Sequence, residues 1–159
     1  MPVPTRPSTG GPIESSWGQE AHDGVFTPTG GQWGPSGPGV GGAINMPLTA
    51  VDDPDGWLGA DGQSSLFVPA DGDGLYTITA QARLTVAGAA QVTLQIFYGA
   101  LLTEDARYWG AAGGFVHGAA VTAPLLAGDE IRFRGAGAVT NAVMVLATIT
   151  RIGRTYGLS

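Results

Sequence analysis

The sequence predicts an all-β protein, an antiparallel sandwich preceded by an extended N-terminal arm. Three observations carry that expectation. Tyr76, Ile78, Ala80, Ala82, Leu84 and Val86 alternate with Thr77, Thr79, Gln81, Arg83 and Thr85 in one unbroken run, the period of a strand with one buried and one wetter face. Val92, Leu94, Ile96 and Tyr98 repeat the pattern opposite Gln91, Thr93 and Gln95. Beyond Gly42 the chain is a series of such short runs divided by Gly-, Asp- and Pro-rich clusters, with no helical spacing. Hydrophobic residues at 43% and charged residues at 13% are enough to support a core.

Residues 1–42 are expected to form the arm. Residues 1–12 are mostly Pro, Thr, Ser and Gly, a composition that extends rather than packs. Ile13, Trp17 and Ala21 follow at i, i+4 and i+8, and Ser16 with Gln19 has capping-box spacing. A short helical turn near 15–22 and an irregular strap carrying one docked Trp are both open. The stretch TGGQWGPSGPGVGG, 29–42, reads as a linker, because its Gly and Pro oppose regular structure. Its two Gly-X-Y triplets are too few for a collagen helix.

The sandwich is expected over 43–155, with 156–159 as a tail. AINMPLTA (43–50) is its first candidate strand and 52–62 a turn-rich loop. SSLFVPA (64–70) is a short strand stopped by Pro69. The run at 76–86 then turns through AGAA (87–90) into 92–98, as in a hairpin. LLTEDARYWG reads as a loop, GFVHGAAVTAPLL (114–126) as a strand, and IRFRG as another with Ile131 and Phe133 inward. In NAVMVLATIT (141–150), Val143, Val145, Ala147 and Ile149 lie on one side and Ala142, Met144 and Leu146 on the other. Apolarity on both sides marks either a central strand or a subunit contact. The total is roughly seven to nine strands, the number of a sandwich.

Charge and composition narrow the function. Thirteen acids face seven Arg and no Lys, for a net charge of −6. The Arg are scattered, so neither nucleic acid nor an anionic membrane is an expected partner. Abundant Ala and Gly without Lys suggest a GC-rich genome. Without Cys there is no disulfide, thiolate nucleophile or Cys-based zinc site. The first residues hold no apolar signal core, and no run approaches the length of a membrane span.

SSLFVPADGDGLYTITAQARL resembles the central signature of the tumour-necrosis-factor and complement-head jelly roll. That signature is a Phe-bearing strand, a Pro, then Gly-x-Tyr opening a long alternating strand, here Phe67, Pro69, Gly74 and Tyr76. VTAPLLAGDEIRFR (121–134) resembles the family's later strand, Leu-x-x-Gly-Asp turn and strand, and Val143 to Ile149 its closing strand. The resemblance covers 43–154. It implies an antiparallel jelly roll and a homotrimer, with Val143, Met144, Val145 and Ala147 at the trimer contact and Tyr76 and Phe133 mainly in the core. The leader PSTGGPIESSWGQEAHDGVF is similar to the N-terminal segments of small structural proteins of actinobacterial tailed bacteriophages. That likeness implies a virion protein assembled in the host cytoplasm, a trimeric capsid decoration protein, with the major capsid protein or another virion protein as partner. Ile13, Trp17, Phe26 and Trp33 are then the docking residues of the arm. The alternative is a tail-associated module that binds a host-surface glycan through Trp57, Tyr108 and Trp109.

Nothing in the spacing asks for catalysis, and no enzyme or cofactor is expected. His22 and His117 are the neutral-pH acid–base candidates. Glu104 and Asp105 are the nearby carboxylates, and no Gly-x-Ser-x-Gly occurs. Asp52, Asp53, Asp55, Asp61, Asp71 and Asp73 are calcium-like in number but lack a closing Glu at EF-hand spacing. Turn chemistry accounts for them, and no metal is expected. The Gly-rich 30–42 lacks the Lys and following helix of a phosphate loop.

Overall fold

The computed structural model describes residues 28–37, 39, 44–59, 64–99 and 102–153. Ten strands run in order: β1 Gly30–Pro35, β2 Ile44–Asn45, β3 Leu48–Asp52, β4 Ser65–Phe67, β5 Gly74–Val86, β6 Ala90–Gly99, β7 Leu102–Gly110, β8 Gly113–Leu125, β9 Glu130–Gly137 and β10 Val139–Gly153. One sheet has the order β3-β1-β10-β5-β8, the other β2-β9-β6-β7 with β4 also on β9. Every pairing is antiparallel.

The expected all-β sandwich is present. β5 buries Tyr76, Ile78, Ala80, Ala82, Leu84 and Val86 toward the second sheet, whose β6 and β9 return Val92, Leu94, Ile96, Ile131 and Phe133. Alternation on both strands makes one face dry, and the two dry faces form the core.

Four local expectations are corrected. The Gly-rich 30–35 is strand β1, inserted between β10 and β3 in the first sheet, so the sandwich includes residues before 43. Glycine belongs there because a Cβ on Gly30 would collide with the Ile149 carbonyl, and one on Gly31 with the Asp52 carbonyl. Residues 43–50 do not make one strand. Pro47 breaks the run, and β2 joins one sheet while β3 joins the other. The turn after Val86 is not a hairpin, since β5 and β6 lie in opposite sheets and the chain crosses the sandwich there. Leu102–Gly110, within LLTEDARYWG, is a strand, β7, paired along its length with β6.

An aromatic cluster closes one end of the core. Trp33 and Trp57 are both fully buried and meet edge-on at 6.1 Å, and Trp57 meets Tyr76 at 5.4 Å. The Tyr76 hydroxyl donates to the Gly72 carbonyl at 2.6 Å and lies 3.3 Å from that of Pro28. Burial pushes its phenol up to about 12, against the lowering influence of Arg151.

Candidate assembly face

The outward side of the first sheet is built by β10, β5 and β8, which pair over nearly their full lengths. Their register decides which residues of β10 see solvent. Met144 pairs with Ala82 and Leu146 with Gln81, leaving Val145 as an extra residue in a β-bulge. The bulge shifts the alternation by one. Met144 and Ala147 therefore point into the core and are fully buried, contrary to the trimer contact expected of them. Val143 and Val145 remain on the outward side, and Leu146 joins them. Leu146 was missed because strict period two runs straight through the bulge and assigns it the wrong face.

The surface around these residues is made of small side chains and holds no carboxylate; its charge is Arg83, exposed between Val143 and Val116 and donating to the Gly114 carbonyl. Across it lie Thr77, Thr79 and Gln81 of β5 and Gly118, Ala120 and Thr122 of β8. Thr79, Gln81, Gly118, Ala120 and Leu146 line a shallow depression of about 450 Å³. β5, β8 and β10 contain no Asp or Glu at all, although the chain has thirteen. Val116, Val145 and Ile152 are exposed there at 42–55%. Depletion of charge with retained aliphatic surface is the composition of a contact core, not of a solvated sheet face.

Among solved structures the fold is similar to a crystal structure of murine APRIL, with TM-score 0.60 and 15% identity over 78% of this chain and 98% of that one. It is also similar to Eiger TNF from S. frugiperda, at 0.57 and 11% over 79% and 93%. The globular domain of zebrafish complement 1qA protein matches at 0.52 and 16% over 79% and 97%. The chain folds as a tumour-necrosis-factor/complement-head jelly roll. No family model and no curated protein matches the sequence.

In this jelly roll β7 and β8 are the last strands of their sheets and lie on the same flank of the sandwich. Tyr108 of β7 bridges the flank. Its ring stacks on His117 with centroids 4.4 Å apart, and its hydroxyl donates to the Gly118 carbonyl. Phe115 stands exposed beyond that stack. His117 is thus held as an aromatic partner of Tyr108.

The remaining candidates separate cleanly. Trp57 is buried, so it is no glycan platform; Tyr108 is half-buried on a strand, and only Trp109 is open, at 76%. Trp33 is a core residue of β1 and not a docking residue, because its strand is paired on both sides. Ile13, Trp17, Phe26 and His22, with the helical turn expected near 15–22, lie outside the described residues. Three of the carboxylates accept backbone N–H groups, Asp53 within its own turn and Asp55 and Asp73 across distant segments; Asp61 lies outside the described residues. Asp53 accepts from the Trp57 and Leu58 N–H groups at 2.7 and 3.0 Å, Asp55 from Thr29, and Asp73 from Ala127. Among the described residues no three His, Asp or Glu side chains converge as a metal site would require.

Proposed function

We propose that this jelly roll is a structural subunit of a bacteriophage virion, a homotrimeric decoration protein of the head anchored by the residues that precede Pro28. One observation carries the self-association: three adjoining strands with no carboxylate and an outward face of Val143, Val145, Leu146 and small neighbours. In water such a face is the part of an acidic protein that gains most by being covered. The flank bearing Phe115 and the Tyr108–His117 stack is the complementary surface. Flank against face is a heterologous contact, which closes into a ring when the rotation allows. The virion assignment is supported by the likeness of the leader to phage structural proteins and by its apolar anchors Ile13, Trp17 and Phe26. A trimer that binds the assembled shell and not the free capsid subunit stabilises the shell by mass action.

The test compares the full chain with one lacking residues 1–26, which leaves β1 whole. Masses in solution are measured, and each protein is mixed with virions stripped of it. Two trimers, of which only the full chain rebinds heads, support the reading. A monomeric full chain, or one that binds tails or cell wall in place of heads, overturns it.

A further inference from the structure

The outward side of the second sheet is chemically unlike the first. Its rows carry Asp105, Gln95 and Arg134 across β7, β6 and β9, and next to them Thr103, Phe97 and Arg132. The two arginines flank one ring. The Arg134 guanidinium carbon lies 4.3 Å from the Phe97 centroid and that of Arg132 5.6 Å. Each is tethered through Nε alone. Arg134 Nε donates to Gln95 Oε1 at 2.9 Å, and Gln95 Nε2 is itself held by Asp105 at 3.0 Å. Arg132 Nε pairs with Glu130 at 3.3 Å, and Glu130 accepts from Ser65 at 2.7 Å. Among the described residues no partner engages the Nη atoms of either side chain. Both carboxylates of this frame are thus used in orienting guanidinium groups whose Nη donors remain available.

We infer that Arg134 and Arg132 form a clamp for the carboxylate of an acidic sugar, on a glycan strip that runs toward Trp109. A guanidinium fixed at Nε and stacked on a ring is pre-organised for the fork-like pairing that a carboxylate accepts. Trp109, 76% exposed and paired with Gln91 on the same side of the sheet, supplies an open ring on which a sugar can stack. From Gln91 to Gln95 the strand advances about 14 Å, and Trp109 on β7 and the arginines on β9 lie on opposite sides of β6, about 10 Å apart across the sheet. That is the span of a short oligosaccharide. Charge complementarity selects an acidic one: on a protein of net charge −6, Arg132 and Arg134 share this face with Arg107, exposed between Trp109 and Asp105 on β7. The inference does not rest on the virion reading or on trimer formation.

The test titrates the full chain with tetragalacturonate, maltotetraose and hexaglutamate by calorimetry, with the solution mass checked on the same samples. Tetragalacturonate is expected to bind and maltotetraose not. Arg134→Gln and Arg134→Lys should each weaken binding at least tenfold, and Trp109→Ala several-fold, with mass unchanged. The lysine variant keeps the charge and loses the fork, so its loss reports geometry. Absence of tetragalacturonate binding at millimolar concentration, equal binding of maltotetraose, or indifference to Arg134→Gln overturns the clamp. Hexaglutamate binding as tightly, with the same Arg134 dependence, overturns the sugar assignment in favour of an acidic peptide.

Discussion

Tyr76 concentrates several constraints in one side chain. It fills the core end against Trp57, and its hydroxyl satisfies the Gly72 carbonyl. Tyr76→Phe keeps the ring and should cost about 1 kcal/mol in urea unfolding. The phenol also sets a pH dependence. It is pushed up to about 12 in the fold, while the unfolded chain releases the proton near 10. The unfolded state therefore binds fewer protons above pH 10, and stability falls from there to pH 12, by about 3 kcal/mol in all. With no lysine in the chain, tyrosines dominate that range. Tyr76→Phe should flatten the loss between urea midpoints at pH 9 and pH 11.5, and an unchanged slope would refute the assignment. Asp53 is the other residue whose chemistry is local. Its carboxylate closes the turn beneath Trp57, so Asp53→Ala should lower stability by about 2 kcal/mol without altering self-association, checked by urea melts and solution mass.

β10 is where strand geometry decides what a substitution does. Met144 and Val143 are adjacent, yet the first is core and the second faces outward. Met144→Glu should prevent folding, because an unpaired buried charge costs about 4 kcal/mol or more. Val143→Glu should leave the circular dichroism of the fold intact and abolish self-association. A folded Met144→Glu chain would show that the bulge at Val145 is misplaced. The same bulge explains the limit of sequence reading here. Uninterrupted alternation made β5, β6 and β9 legible, and the Gly-x-Tyr signature made the jelly roll legible. An extra residue in β10 carries no compositional mark, so strict alternation groups Ala147 with Val143 and Val145 and Leu146 with Met144, the reverse of the faces they occupy. β1 was hidden for a different reason. Its glycines answer to the close approach of two neighbouring strands, and out of context that reads as a linker. Glu104, Asp105 and Arg107 make β7 read as a loop, but an edge strand can carry charge, here Asp105 and Arg107 outward on alternate residues. The Arg132–Phe97–Arg134 stack was invisible because its members come from two strands and meet only through register.

The molecule as a whole is organised by contacts between its distant parts. β1 pairs with β10 through Gly30 and Thr150, and β5 pairs with β10 and β8. Loop closure must precede the reward of such pairings, so folding is expected on the millisecond-to-second scale, measured by stopped-flow fluorescence of the buried tryptophans. Microsecond folding would contradict the topology. The two sheet faces also divide labour, one depleted of charge and the other laced with guanidinium and amide groups. The position of β1 has a mechanical consequence. The chain enters the sheet at Gly30, and β1 is hydrogen-bonded along both sides, to β10 and β3. Those bonds run perpendicular to the strand. A pull on the N-terminal segment along the strand axis would load them together in shear, instead of peeling them one at a time. A subunit tethered that way would bear tension from its attachment without unravelling at the root.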